Sequence, residues 1–218
     1  MPKKAFLFLN GHYYKEDRSM VLRLYRRAKP KPLLMAVDGG LAFMQRIGLR
    51  PKYWLTDLDS APDIKKGFLK NTEILLHQSH KDKTDAELAL DFCTRQRVSD
   101  FTFFGWYDRT DETDHLLGNL LLAHLLKEAE KNIRLRFLGS RQEIHYLHNE
   151  TKVLNSSKGK RLSVIPLDRS ISLSLRGTEY KAVGLNVREG QTIALRNRIM
   201  SERTTITVKG SALAIITG

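Results

Sequence analysis

Two carboxylates one residue apart follow a short apolar run in the segment PKYWLTDLDSAPD, residues 51–63. Asp57 and Asp59 come directly after Tyr53-Trp54-Leu55, at the point where a strand would end. Like charges this close repel each other unless a cation or a set of N–H donors compensates them. Mg²⁺ takes oxygen ligands and commonly binds one or two carboxylates together with substrate phosphates. The pair therefore indicates a metal site for phosphate chemistry.

Polar residues also follow the other predicted strands of the first 140 residues. In open parallel sheets, ligands bind beyond the carboxyl ends of the strands, so these residues are expected to converge with the acidic pair. They are Asn10, Gly11, Asp38, Gly39, Gly40, Lys81, Asp82, Lys83, Thr84, Asp85, Arg109, Asp111, Asp114 and His115. The lysines and arginine among them suit phosphate oxygens.

Several of these residues have a simpler structural explanation. Asp38-Gly39-Gly40 is compatible with a tight turn, because glycine permits positive φ. Thr84 or Asp85 is compatible with a helix N-cap, with Glu87 close behind. Asp114 could likewise cap a helix, and a lone histidine such as His115 is more often structural than catalytic. No Walker A, GxGxxG or HExxH motif is present, so the phosphate interpretation depends on the whole constellation.

The elements that must position these residues alternate along the chain. Strands are predicted at residues 5–10, 32–37, 52–56, 73–77, 100–105 and 133–139, and helices at residues 19–28, 41–48, 84–97 and 113–131. Gly48 is expected to end the second helix. Alternating strands and helices predict a mostly parallel α/β sheet, which we assign to a domain of residues 1–142.

From residue 143 the chain consists of short β-branched segments separated by turn residues. These segments lie at residues 143–149, 151–155, 161–167, 170–175, 191–197, 204–210 and 212–217. Such a pattern predicts an antiparallel β-sandwich, which we assign to a second domain of residues 143–218.

Composition limits the class of protein. The 218 residues carry a formal net charge of +13, but the basic residues are scattered, without the aromatic neighbours that a single-strand nucleic-acid binder uses for stacking. We therefore expect anionic small ligands and no nucleic acid. No apolar run approaches the roughly 20 residues of a membrane span. The single cysteine, Cys93, is expected to be a buried small hydrophobe, and its lack of a disulfide partner favours the cytoplasm.

Taken together, the motifs resemble the thiamine pyrophosphokinase family. The resemblance is carried, in order and spacing, by LNG at 9–11, DGG at 38–40, GLRPKYWLTDLDS at 48–60, KDKTDAELAL at 81–90 and DHLLGNLLL at 114–122. In the second domain, GTEYKAVGLNV and RNRI (196–199) are similar to the family's thiamine-side segments. The resemblance implies an α/β domain that binds ATP and Mg²⁺, followed by a β-sandwich that binds thiamine and forms a homodimer.

The same resemblance implies a reaction and roles for named residues. Thiamine and ATP would give thiamine diphosphate and AMP, with Asp57, Asp59 and Asp85 as the catalytic, Mg²⁺-binding carboxylates and one carboxylate taking the hydroxyl proton. The residues implied to bind the nucleotide or lie near it are Asp38, Lys81, Asp82, Lys83, Thr84, Arg109, Asp114, His115 and Asn119. Tyr180 and Asn197, contributed by the partner subunit, would face thiamine, whose cationic ring suits an aromatic side chain.

The sequence departs from the family pattern at a few positions. Thr56 and Leu58 replace Gly and Phe, Glu112 replaces an arginine in a segment two residues longer, and Arg196 replaces a serine. A cation at Arg196 leaves open an acceptor other than thiamine, such as a pterin or another hydroxymethyl heterocycle. Glu112 leaves open a protein that binds the nucleotide or thiamine diphosphate without turnover.

Overall fold

Strands and helices alternate through the first part of the chain in the predicted order. The computed structural model describes residues 3–59, 61–77, 82–107, 113–129 and 133–218. The elements up to residue 138 are β1 (Lys3–Phe8), α1 (Asp17–Arg27), β2 (Leu33–Val37), α2 (Gly40–Ile47), β3 (Tyr53–Thr56), β4 (Glu73–Leu76), α3 (Asp85–Arg95), β5 (Val98–Phe104), α4 (Thr113–Ala129) and β6 (Arg134–Leu138). The chain divides into two units, Met1–Leu122 with Phe137–Ser140, and Ala123–Arg136 with Arg141–Gly218.

The first unit is built on a parallel sheet. Strand β1 pairs with β2 and β5, and β3 pairs with β2 and β4, so the order is β5-β1-β2-β3-β4. Residues Ala5 to Phe8 of β1 are all buried, which is typical of a strand covered on both faces. Their apolar run is therefore continuous rather than alternating.

Helix boundaries in this unit follow local chemistry. Gly48 ends α2 in the left-handed conformation, at φ 75°, as predicted. Helix α1 begins at Asp17, two residues earlier than predicted. The Asp17 carboxylate is buried and accepts hydrogen bonds from the backbone N–H groups of Tyr14 (2.7 Å) and Ser140 (2.6 Å). These bonds compensate the cost of burying the charge.

The buried cysteine is structural, as predicted. Cys93 on α3 is fully buried, and its sulfur lies 3.6 Å from that of Met35. Burial raises the pKa of the Cys93 thiol to about 12, so the thiolate nucleophile is absent at neutral pH. Among the described residues, no helix is long and apolar enough to cross a membrane.

The second unit is antiparallel. Its strands are β7 (Gln142–Asn155), β8 (Arg161–Pro166), β9 (Ser170–Arg176), β10 (Ala182–Arg188), β11 (Asn197–Arg198) and β12 (Arg203–Thr217). Strand β12 pairs with β7 along one edge and with β9 and then β8 along the other. Alternate residues of these strands form one apolar core. The predicted fold class, a mostly parallel α/β part followed by an antiparallel β-sandwich, is confirmed.

Some predicted strand limits in this unit are wrong. Residues 143–155 and 204–217 each form one strand, because Asn149 and Gly210 make a bulge inside the β7–β12 ladder instead of turns. Both have positive φ, and the Asn149 side chain accepts a hydrogen bond from Gly210 N–H at 2.8 Å. The strand predicted at 191–197 is wrong except for its last residue, which begins β11; before it the chain turns, and Leu195 N–H donates to the carbonyl of residue 192. Strand β10 was not predicted.

Candidate active site

The carboxyl ends of β1 and β5 are joined by backbone hydrogen bonds that continue beyond the strands. The N–H of Gly11 donates to the carbonyl of Gly105 at 2.9 Å, and His12 N–H donates to the Tyr107 carbonyl at 3.0 Å. A Cβ on Gly11 would lie 2.2 Å from the Gly105 oxygen, so no larger residue fits there. This contact fixes the loop that carries Asn10.

Asp38 follows β2 in a tightly held backbone conformation. Its φ is 44°, its N–H donates to Leu55, and its carbonyl accepts a hydrogen bond from the indole of Trp54 at 3.1 Å. The predicted turn is present, since Leu41 N–H donates to the Asp38 carbonyl at 3.2 Å, but the positive φ lies at Asp38 and not at either of the glycines after it. A Cβ on Gly39 would lie 2.0 Å from Asn10 Oδ1, and one on Gly40 would lie 1.9 Å from a β1 carbonyl. Gly40 is therefore required by close approach to the β1 backbone, whereas Gly39 leaves room for the Asn10 side chain.

The acidic loop after β3 folds around a left-handed residue. Leu58 has φ 70°, and its N–H donates to the buried Thr56 hydroxyl at 3.0 Å. The carboxylate of Asp57 accepts a hydrogen bond from Asp59 N–H at 3.1 Å. Since β3 lies between β2 and β4 in the sheet, this loop begins between the ends of those strands. The roles of Asp57 and Asp59 in metal binding stay predictions.

Helix α3 begins at the same edge of the sheet. The Thr84 hydroxyl accepts a hydrogen bond from Glu87 N–H at 3.2 Å and so caps the helix, as the simpler explanation expected. Asp85 is the first helical residue, and its Oδ1 lies 3.1 Å from Nε2 of His77, which follows β4. Lys83 instead contacts Asp91 (2.6 Å) and Glu87 (3.2 Å), and these hydrogen bonds raise its pKa.

Helix α4 brings two more predicted residues to this edge. His115 and Asn119 lie one turn apart, and the Asp114 carboxylate accepts a hydrogen bond from His115 N–H at 2.8 Å near the start of the helix. Lys81 and Arg109, which were predicted to bind the nucleotide, lie outside the described residues, as does Glu112.

A cavity of about 210 Å³ is lined by residues at the carboxyl ends of β1, β2 and β5 and at the starts of α3 and α4. Seven predicted residues line it, namely Asn10, Gly11, Asp38, Thr84, Asp85, His115 and Asn119, together with Leu9, Val37, Ala86, Gly105, Trp106, Tyr107 and Leu116. Asp57, Asp59, Asp82, Lys83 and Asp114 are not among the lining residues. The convergence expected from the strand-end rule thus brings together part of the predicted set.

Two buried polar atoms of this cavity lack a hydrogen-bond partner among the described residues. They are the indole N–H of Trp106, whose side chain is almost fully buried, and the amide oxygen of Asn119. Buried polar groups are nearly always satisfied by protein, water or ligand. Both atoms are inaccessible to solvent, so neither faces the open space of the cavity in this structure.

A second cavity, of about 360 Å³, adjoins the first at Asn10 and Gly11. One wall is the ring of Phe43, on which Tyr13 stacks at 3.8 Å between centroids and over which the Arg46 guanidinium lies at 5.5 Å. Burial raises the pKa of Tyr13 well above its usual range, and its hydroxyl donates to the Leu9 carbonyl at 2.8 Å. Arg46 gives this cavity a cationic side.

Three side chains at the sheet edge could hold a metal ion. One ligand atom each of Asp38, His77 and Asp85 lies within 4.8 Å of the others, the only such trio among the residues that the structure describes. Two hard carboxylates suit a divalent cation, so the residues present fit one. His77 was missed by sequence reasoning, although its position directly after β4 obeys the rule that found Asp38.

In the second unit, the two residues expected to face the acceptor contact each other. The side chain of Tyr180 is exposed, with 70% of the residue accessible, whereas Asn197 is buried. Asn197 Oδ1 accepts a hydrogen bond from Tyr180 N–H (3.1 Å), and its Nδ2 donates to the Tyr180 carbonyl (2.7 Å). Asn197 therefore holds the backbone that presents the Tyr180 ring.

Comparisons with known proteins agree with this geometry. A family model described as thiamin pyrophosphokinase, catalytic domain, matches residues 25–136, just over half of the chain. The thiamine pyrophosphokinase of Bacillus subtilis (strain 168) is 27% identical over 188 residues, which cover 84% of this chain and 86% of that protein.

Solved structures of similar fold cover 99% of the chain. The thiamine pyrophosphokinase structure from Bacillus subtilis has a TM-score of 0.77 at 23% identity and is itself 99% covered. The one from Candida albicans has a TM-score of 0.78 at 14% identity and is 89% covered. At these identities the likeness establishes the fold.

Proposed function

The chain belongs to the thiamine pyrophosphokinase family, and from that premise we propose how its residues carry out the transfer of a diphosphate group from ATP to thiamine. The chain is an enzyme of this family, a thiamine diphosphokinase. In the proposed reaction, the thiamine hydroxyl attacks the β-phosphorus of ATP in line, the β- and γ-phosphates move as a unit, and AMP leaves. Such a displacement depends on positioning and on charge neutralisation.

The observation that carries the proposal is the cavity at the carboxyl edge of the parallel sheet. It combines the carboxylates of Asp38 and Asp85 with the N-terminal starts of α3 and α4, where backbone N–H groups favour anions. The basic composition of the chain adds to the attraction for a triphosphate.

A divalent cation at this edge would be held by Asp38 and Asp85, with Asp57 and Asp59 from the loop between them. When bound, Mg²⁺ would neutralise charge on the phosphate oxygens. The carboxylates also hold the acceptor hydroxyl, and one of them takes its proton as the bond to phosphorus forms. This is ordinary general-base work for a carboxylate within hydrogen-bond reach.

We place the nucleotide across the two adjoining cavities. The first, of about 210 Å³, is smaller than the roughly 300–1,000 Å³ of a typical small-molecule site, so part of the ligand must lie outside it. Arg46 supplies a cation in the second cavity.

For the acceptor, we propose that the exposed ring of Tyr180 stacks on the cationic thiazolium of thiamine. Large apolar side chains are exposed near it in sequence, including Val183 (90% accessible), Ile193 (66%) and Met200 (49%). Contiguous patches of exposed apolar groups mark interaction surfaces. We therefore propose a homodimer in which this surface completes the partner's acceptor site.

Arg196 favours a second candidate acceptor. Its exposed position directly precedes Asn197, which places a guanidinium near the proposed site of a cationic substrate. A neutral hydroxymethyl heterocycle, such as a pterin, would avoid that repulsion. The fold and the phosphate chemistry would be the same.

An AMP-release assay with ATP and Mg²⁺, with and without thiamine, tests the proposal. We expect AMP to appear only with thiamine and in step with thiamine diphosphate. Asp85→Asn should lose activity by several orders of magnitude, whereas Glu73→Gln, an exposed residue at the start of β4, should not. AMP formed only with a pterin alcohol would favour the second candidate. ATP binding without AMP release would refute turnover.

A further inference from the structure

His77 lies directly after β4 and contacts a carboxylate that the proposed reaction uses. Its Nε2 is 3.1 Å from Asp85 Oδ1, and both side chains share the 4.8 Å group with Asp38. The His77 side chain is only 10% exposed, against 33% for Asp85. The imidazole is therefore held among the chain's own groups and not in bulk solvent.

The separation of these atoms matches the edge of a coordination shell. With metal–ligand bonds of about 2.0–2.1 Å, neighbouring ligand atoms lie about 2.8–3.0 Å apart in octahedral geometry and about 3.3–3.4 Å apart in tetrahedral geometry. The 3.1 Å between His77 Nε2 and Asp85 Oδ1 lies between these two ranges, within a few tenths of an ångström of each. All the ligand atoms of the trio lie within 4.8 Å of one another, so a shared ion requires side-chain rotation that brings the more distant atoms closer.

The three candidate ligands supply one imidazole nitrogen as well as two carboxylate oxygens, and this mixture affects which metal ion is preferred. Carboxylates suit Mg²⁺, Ca²⁺ and Mn²⁺, whereas imidazole suits zinc and the later first-row transition metals, which generally bind nitrogen ligands more tightly. We propose that His77 binds the divalent cation directly, together with Asp38 and Asp85, and shifts the preference of the site from Mg²⁺ toward a later transition metal such as Co²⁺. The part this cation plays in turnover rests on the proposed function.

Metal binding without substrate tests the assignment separately from activity. The chelator-treated chain is titrated calorimetrically with Co²⁺ alone and with Mg²⁺ alone. We expect His77→Gln, which can still hydrogen-bond Asp85, to weaken Co²⁺ binding on the order of tenfold or more while changing Mg²⁺ binding far less. His124→Gln, an exposed histidine on α4, should bind both metals as the unmodified chain does.

A spectroscopic measurement identifies the ligand atom. In the unmodified chain loaded with Mn²⁺, we expect pulsed-EPR modulation from a directly bound ¹⁴N, and its loss in His77→Gln. The loss is needed for the assignment because His115 lines the same cavity. Absence of nitrogen coupling in the unmodified chain overturns the proposal even if the variant does not fold. Equal weakening of Co²⁺ and Mg²⁺ in His77→Phe overturns it too, since His77 would then only orient Asp85.

Discussion

Asn197→Ala removes the side chain that fixes the backbone of Tyr180. Two hydrogen bonds are lost, at 3.1 and 2.7 Å, from a residue that is only 6% exposed. Each such bond contributes about 0.5–1.5 kcal/mol net, so we expect a loss of about 1–3 kcal/mol of unfolding free energy. In a chain of this length, that loss lowers Tm by roughly 2–12 °C.

The functional consequence concerns the acceptor alone. If Tyr180 stacks on thiamine, a mobile backbone raises the cost of ordering the ring on binding. The same 1–3 kcal/mol sets an upper limit of about 5- to 150-fold on the rise in the KM for thiamine. The KM for ATP should stay unchanged, because both cavities proposed for the nucleotide are lined by residues of the first unit.

A matched variant removes one hydrogen bond to the Tyr180 carbonyl and leaves both hydrogen bonds of Asn197 in place. The Thr178 hydroxyl donates to the same Tyr180 carbonyl at 2.9 Å, so Thr178→Val removes one bond with little change of shape. We expect about half the effect of Asn197→Ala on both Tm and the thiamine KM. Thermal melting and steady-state kinetics with each substrate varied measure these quantities. A fall in Tm with an unchanged thiamine KM, or an equal rise in both KM values, would refute the reasoning.

Three further outcomes are expected. Gly40→Ala places a Cβ 1.9 Å from the Phe8 carbonyl and should lower the free energy of unfolding in urea by about 1–3 kcal/mol or more. Gly118→Ala, whose Cβ meets nothing within 4 Å, should not destabilise the chain. Equal stabilities of the two variants would contradict this expectation. Because the pKa of Cys93 is raised to about 12, a disulfide reagent at pH 8 should modify it only in denaturant, and rapid reaction of the folded chain would be inconsistent with its burial. Burial lowers the pKa of His145, so the unfolded chain takes up this proton first as pH falls from about 6.5, and stability should drop between pH 7 and 5. His145→Phe should flatten that drop in stability. If the pH profiles of Tm for the variant and the unmodified chain superimpose, His145 is not the cause of the drop.

The sequence predicts the first unit well because its signals are local and strong. Continuous apolar runs mark buried parallel strands, and the rule that ligands lie beyond strand ends places Asp38, Asp85 and His115 around one cavity. The same rule applies to His77, but a lone histidine after a strand belongs to no motif of fixed spacing that would indicate a function. Its meaning depends on the 3.1 Å contact with Asp85, which only the folded chain reveals.

The strand limits and side-chain partners of the second unit are harder to predict from the sequence, and the reason is physical. Asn149 and Gly210 are turn residues by composition, yet each stays within a strand because the ladder between β7 and β12 tolerates a bulge there. Likewise, Asn197 looks like a residue available to a ligand, but its amide is used by the Tyr180 backbone. Such pairings join residues distant in sequence, so no local pattern encodes them.

The pairing of β12 also has a consequence for the order of assembly during synthesis. This strand contacts β7, β8 and β9, yet it is the last of them to leave a ribosome. Most of the first unit, up to Leu122, is translated long before, and its neighbouring strands can pair as they emerge. Until β12 is made, β7 stays unpaired along the edge that β12 will occupy, and such edges are prone to intermolecular association. The interval before β12 arrives is therefore when a nascent chain would most need a chaperone.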